Sequence, residues 1–171
     1  MSPARLDALV DVVDGSDRVV GTLLRRKLLP SGANFRVVHI FVFNDRRELL
    51  LQCIAQGLRN SAMWGSSVAG YLQAGESYDQ AAARKLENEL GLRIPLKRIG
   101  KSSMLDGSSL KFIGLYEAVY DGPVSPDPSQ ISQLVQLPLQ TVIQERRAGL
   151  RAFTPTFLHV LDFYLASTGK P

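Results

Sequence analysis

Hydrophobic and polar positions divide the chain into short apolar runs separated by turn-forming residues. "LVDVV" and "RVVGTLLRR" flank "DGSD", which predicts a β-hairpin near the start. "SGAN" (31–34) breaks the chain before "FRVVHIFVF", an almost unbroken apolar run of the kind a strand buried on both faces requires. "NDRR" makes a turn, "ELLLQCIA" is the next strand, and the polar stretch "QGLRNSAMWGSS" is a loop. From Ser77 the period changes. Ser77 and Gln80 form a capping box that predicts a helix from Tyr78, and Gly91 is placed to end it in the left-handed conformation. Tyr78, Ala82, Leu86 and Leu90, spaced by four, are the core stripe of that helix.

Further on, "SLKFIGLYEAVY" reads as a long strand closed by the turn "DGPVSPDPSQ", and "ISQLVQL" as a short strand. Pro138 and Pro155 each fit the first turn of a helix, the second preceded by the cap Thr154. Strands mixed with two or three helices, without regular βαβ alternation, predict a mixed-sheet α/β or α+β domain. We divide the chain into an N-terminal hairpin extension (1–30), a central domain (31–149) and a C-terminal helical segment packed on it (150–171).

Composition narrows the classes. The 171 residues are 45% apolar and 21% charged, ordinary for a soluble globular chain long enough to bury a core without disulfides or structural metal. No run of apolar residues is long enough to span a membrane, and the N-terminus lacks the basic start and apolar core of a secretory signal. Cys53 is the single cysteine, so no internal disulfide forms, and a cytoplasmic location is the default expectation. A net charge of +4 suits an anionic partner such as a nucleotide or a diphosphate. The longest basic run is "RRK" (25–27) and no aromatic-interleaved basic motif occurs, so nucleic acid ranks below a small anion.

The chemistry concentrates in "GYLQAGESYDQAAARKLENELGL", residues 70 to 92. Gly70, Glu76, Arg84, Leu86, Glu89, Gly91 and Leu92 match seven of the nine specified positions of the Nudix box, and the segment resembles that family. "RVVHIFVFNDRRELLLQ" and "MWGSSVAGYLQAGESYDQAA" resemble the branch that includes isopentenyl-diphosphate isomerases. The resemblance implies the Nudix fold, a mixed sheet between helices, and hydrolysis of a diphosphate linked to another group with Mg²⁺ or Mn²⁺ as cofactor. It also implies that Glu89, Asn88 and the Gly70 carbonyl hold the metal, and that Glu89, Arg84 and Glu76 form the catalytic set.

Two positions depart from the box. Residues i, i+3 and i+4 lie on one side of a helix, so positions 85, 88 and 89 are expected to converge. The family places glutamates there, whose oxygens suit hard divalent cations; this chain has Lys85, Asn88 and Glu89. At roughly 4 Å and an effective dielectric near 20, each lost or reversed charge is worth about 4 kcal/mol before solvent relaxation. Metal binding should therefore be weak. Glu87 lies on the far side of the helix from Glu89 and does not replace the lost ligands. Asp127, Glu117 and Asp121 are the acids that a later loop or strand could lend, with Gln130 at the position the family often gives to an acid.

An isomerase site would need histidines where this chain has Phe35 and Tyr71, and His39 and Cys53 read as core residues of apolar strands. Arg36, Arg59 and Lys85 are the candidate phosphate-binding residues, and Trp64 reads as a packing residue. The expected function is a weak, metal-dependent Nudix-type hydrolase of a nucleoside di- or triphosphate or related diphosphate. The alternatives are a catalytically inactive protein that binds a diphosphate or nucleotide, and an RNA-binding module. Homo-oligomerisation is left open.

Overall fold

The computed structural model describes residues 7–169; the first six residues of the N-terminal extension and the last two of the C-terminal segment lie outside the described residues. β1 (Leu9–Val13) and β2 (Val19–Leu24) pair antiparallel. The Asp14 carboxylate shapes their turn by accepting from the amides of Ser16 and Arg18 at 2.8 and 3.0 Å. The second strand ends earlier than its pattern predicts, because "RRKLLPS" forms a short helix, α1 (Arg25–Ser31), closed by Gly32 at φ 68°. Straight-chain Arg, Lys and Leu lose little rotamer freedom in a helix, and α1 docks by burying Leu28 completely.

The remaining strands form one mixed sheet around β3 (Phe35–Phe43). β3 runs parallel to β8 (Ser109–Val119) along its full length and antiparallel to β6 (Val68–Tyr71) from Val37 to Ile40. β4 (Glu48–Ile54) meets β3 at Phe43↔Leu49 and then pairs with β5 (Trp64–Gly65) and β9 (Ile131–Pro138). Past that junction the sheet is split into two halves, one carrying β6 and the other β9. β7 (Lys97–Asp106) pairs with β8 as an edge strand. Its sequence, "KRIGKSSMLD", carries no apolar run because an edge strand half exposed to water needs none, and the hydrophobic pattern therefore misses it.

Helices cover both faces. α2 (Tyr78–Leu90) lays Ala82, Leu86 and Leu90 against Val38, Ile40 and Val42. α3 (Leu139–Ala148) and α4 (Pro155–Thr168) cover the opposite face, where Phe157, Val160, Leu161 and Tyr164 meet Val37, Phe41 and Phe43. Both predicted caps of α2 are present: Ser77 Oγ accepts from the Gln80 amide, the Gln80 side chain answers the Ser77 amide, and Gly91 closes the helix at φ 71°. Thr154 caps α4 ahead of Pro155, accepting from the Phe157 amide at 3.1 Å. Pro138 ends β9 and precedes the first turn of α3 by one residue, since its extended ψ of 138° cannot belong to a helix. Among the described residues no helix is long and apolar enough to cross a membrane.

The start of α2 is fixed to the N-terminal hairpin through Asp17. This buried carboxylate, at φ 64°, accepts from Arg36 at 2.6 Å, Lys101 at 2.6 Å and the Tyr78 hydroxyl at 3.1 Å. Burial pushes the Asp17 carboxyl up, but these hydrogen bonds outweigh it and hold the group below its ordinary value. The Tyr78 ring lies over Gly114 of β8, so a methyl group there would come within 2.6 Å of the ring. Gly114→Ala should therefore destabilise the fold by about 1–3 kcal/mol, as overpacking does. Urea denaturation at neutral pH measures it; a loss no greater than that of Gly15→Ala, where a Cβ meets open space, would refute the steric argument.

Candidate functional site

A cleft of about 510 Å³ opens where the two halves of the sheet part. α1 walls it with Arg25 and Arg26, β3 with Phe35, Val37 and His39, and β4 with Gln52 and Ile54. β6 adds Gly70 and Tyr71, and α2 adds Lys85 and Glu89. Phe35 and Tyr71, the two positions where an isomerase would carry histidine, stack on each other at 5.3 Å, and the Arg25 guanidinium lies 4.4 Å over the Tyr71 ring.

Lys85 and Glu89 form a buried ion pair, with only 8% and 1% of each residue exposed. Glycine at position 70 is required by this arrangement. The Lys85 stem lies directly over Gly70, and a Cβ there would collide with its Cε and Nζ. One Glu89 oxygen takes the Lys85 ammonium, while Oε2 is buried without a hydrogen-bond partner among the described residues. Asn88 departs from the expected convergence: it is exposed and lies outside the cleft. Successive helical residues turn by about 100°, so when position 89 points inward its neighbour 88 points to water.

The multi-carboxylate cation site of the box is not assembled on this face. Glu89 is the one carboxylate α2 brings to the cleft, and it is already paired with an ammonium group. Among the described residues no group of three or more His, Cys, Asp or Glu side chains is placed to hold a metal ion. The acids considered as substitutes are elsewhere. Glu117 is buried with Arg47, at 3.2 Å, and the Tyr164 hydroxyl. Asp121 is exposed, and Asp127 shapes the turn before β9 by accepting from the Ser129 amide at 2.9 Å. The Asp127 backbone also donates to the Glu89 carbonyl at 2.9 Å, which brings this turn to the end of α2 and Gln130 into the cleft wall.

Glu76 and Arg84 stand behind the cleft, joined by two hydrogen bonds of 2.6 and 2.7 Å, and Arg84 also donates to the Tyr71 carbonyl at 3.1 Å. They tie the loop before α2 to β6. Burial pushes the Glu76 carboxyl up, yet the hydrogen bonds from Arg84 and the Gln73 amide hold it below its ordinary value. Arg36 does not reach the cleft. Side chains alternate along a strand, so Arg36 takes the face opposite Phe35 and Val37 and pairs with Asp17.

Arg59 lines the cleft as expected but is held in a fork by Asp106 at 2.5 and 2.9 Å. Asp106 also accepts from Lys111 at 2.9 Å, and Lys111 donates to Thr156 at 2.6 Å. Of this network only Arg59 is expected from the sequence; Asp106, Thr156 and Arg25 leave no trace in the hydrophobic pattern, and the one signal for Lys111 is a lysine inside the apolar run "SLKFIGLYEAVY". His39 pairs with Ser66 at 2.8 Å; burial first, then the positive charge of Lys111 and the proximity of His159, pushes its imidazole down to about 3, so it is neutral. Cys53 is buried, and Trp64 is covered by the Arg151 guanidinium at 4.4 Å.

Two outcomes test this description. Lys85→Met should cost about 3–5 kcal/mol by leaving Glu89 charged, buried and unpaired, whereas Lys85→Met with Glu89→Gln should return to within about 1 kcal/mol of the parent. Equal losses in both variants, by urea denaturation, would contradict the ion pair. The Asp106 carboxyl, held down to about 2 chiefly by the hydrogen bond from Arg59, supplies the second. A depressed carboxylate stabilises the fold above its unfolded value and loses that contribution as pH falls through its folded value. Asp106→Asn should therefore remove part of the stability lost between about pH 5 and about pH 2, read as the difference in urea midpoint from the parent across that window.

A family model described as NUDIX domain matches residues 33–157. An uncharacterized Nudix hydrolase of Pseudomonas aeruginosa is 30% identical over 162 residues, covering 92% of this chain and 93% of that protein. An isopentenyl-diphosphate Delta-isomerase of Serratia proteamaculans is 26% identical over 162 residues, with 91% and 90% covered. Among solved structures, DR0079 from Deinococcus radiodurans superposes with a TM-score of 0.79 at 23% identity, covering 94% of this chain and 99% of that one; this likeness speaks for the fold.

Proposed function

The chain belongs to the Nudix family, and we propose that its cleft binds an organic diphosphate, of the nucleoside di- or triphosphate class, with Lys85 taking the electrostatic place the family gives to a metal. The observation that carries this reading is the Lys85–Glu89 pair closed over Gly70. An ammonium group is a compact point charge with three donors, suited to phosphate oxygens, and it stands where the box would otherwise assemble its carboxylates. The rest of the wall has the same sign. Arg25, Arg26, Arg59, Lys85 and Lys111 line the cleft against Asp106 and Glu89, an excess of positive charge that attracts a polyanion.

A second reading, metal-dependent hydrolysis of the same ligands with weakly bound Mg²⁺ or Mn²⁺, is favoured by one observation. Glu89 Oε2 is buried at the cleft without a hydrogen-bond partner among the described residues. An unpaired buried carboxylate oxygen is costly to keep, which is the condition expected of a group that a cation or a reacting water completes.

Calorimetric titration of adenosine diphosphate into the protein, once in EDTA and once in Mg²⁺, separates the two. Binding should persist in EDTA, and Lys85→Met with Glu89→Gln should weaken it by about tenfold, the value of one phosphate contact. Binding that vanishes in EDTA and returns with Mg²⁺, together with phosphate release by phosphorus NMR that Glu89→Gln abolishes, would replace the first reading with the second.

A further inference from the structure

Gln52 is an anomaly in the strand that carries it. β4 reads "ELLLQCI", and the residues around Gln52 in that run, Leu49, Leu50, Leu51 and Cys53, are buried apolar side chains. Gln52 is itself only 7% exposed, its side chain lines the cleft, and its Oε1 has no hydrogen-bond partner among the described residues. A buried amide oxygen without a donor destabilises the fold, and a leucine in its place would continue the apolar run without that penalty.

The polarity of the missing partner is informative. Gln52 Oε1 is an acceptor, so it needs a donor. Phosphate oxygens are acceptors too and cannot supply one; their partners are the cations of the wall. A hydrocarbon chain has no donor and would seal the oxygen off from water. The group that completes Gln52 is therefore an organic portion bearing a hydroxyl, amino or amide N–H. The remaining walls fit a partly apolar body, since Phe35, Val37 and Ile54 line the same cleft.

We infer that Gln52 is a specificity-determining residue, accepting a hydrogen bond from the non-phosphate part of the ligand and selecting a donor-bearing sugar or base over an alkyl chain. This rests on the diphosphate reading above and deepens it. A site built around such a hydrogen bond discriminates strongly against an analogue lacking the donor, because the buried acceptor is then left unpaired.

The test titrates the whole protein, once in EDTA and once in Mg²⁺, with four probes: inorganic pyrophosphate, n-pentyl diphosphate, adenosine diphosphate and dideoxyadenosine diphosphate. Adenosine diphosphate should bind at least about tenfold more tightly than n-pentyl diphosphate, and Gln52→Met, similar in volume, should erase that advantage while leaving pyrophosphate unchanged. If the dideoxy analogue keeps the advantage, the donor is on the base; if it loses it, the donor is a ribose hydroxyl. Either result supports the inference. The melting temperature of Gln52→Met is an independent readout: removing an unpaired buried acceptor should leave it unchanged or raise it by about 2–4 °C, whereas a structural glutamine would lower it. Pyrophosphate binding with no Gln52-dependent preference among the organic probes, or a lowered melting temperature, would overturn this inference alone. Failure of all four probes to bind, with Mg²⁺ or without, would overturn the diphosphate reading and this inference with it.

Discussion

Burial of β3 on both faces is the constraint from which the rest of the molecule follows. Seven consecutive residues, Val37 to Phe43, are buried, and no single layer of helix can cover both sides of that strand. α2 takes one face and α4 the other, and each helix is apolar along the stripe it presents. The strand also has to satisfy its backbone on both edges. β8 serves one edge along the whole length, but the other is divided between β6 and β4. That division leaves β4 bonded to β3 only near Phe43 and Leu49, and the gap beyond it is the cleft.

Gly70 links this architecture to the chemistry. It lies on β6, opposite Val38, on the side of the sheet that α2 covers, and its lack of a side chain lets Lys85 lie flat against the strand. The lysine is thus a packed residue whose stem covers backbone and whose head neutralises Glu89 at the cleft edge. In water this pair would contribute little; here, nearly excluded from solvent, removing one partner exposes the full cost of burying the other. The same geometry explains why Lys85 is compatible with the fold although it reverses the charge the box specifies. A buried ammonium beside a buried carboxylate is neutral overall.

The N-terminal segment is built into the site rather than appended to it. Asp17 gathers Arg36, Lys101 and Tyr78, which fastens the hairpin turn to the sheet and to the first residue of α2. α1 then places Arg25 over Tyr71 and Arg26 on the cleft wall. The family model begins at residue 33, so these two cations come from outside the matched region. Arg59, Asp106, Lys111 and Thr156 close the cleft from the loops and strands beyond β4. Asp106 offsets one of the two cations of this network, which positions the arginine at some cost to its freedom to move.

By itself the sequence determined the elements whose signals are local. The capping box at Ser77 and Gln80, the stripe from Tyr78 to Leu90, the stop at Gly91 and the doubly buried run of β3 all depend on residues within a few positions of one another. The spacing from Gly70 to Leu92 identified the family for the same reason, and it isolated Lys85 and Asn88 as the departures that matter. What tertiary structure decided is which side chains meet. It turned Asn88 to water and Lys85 onto Gly70, because a helix can press only part of its circumference against a sheet. It sent Arg36 to Asp17 instead of the cleft, since the face of a strand is fixed by its pairing partners and not by its own residue types. It also began α1 with Arg25 and Arg26, which read as the end of a strand, kept β7 as a polar edge, and joined Arg25, Gln52 and Lys111 across wide separations in the chain. Contacts of that kind leave no periodic trace, because the forces that select them act only after the layers have packed.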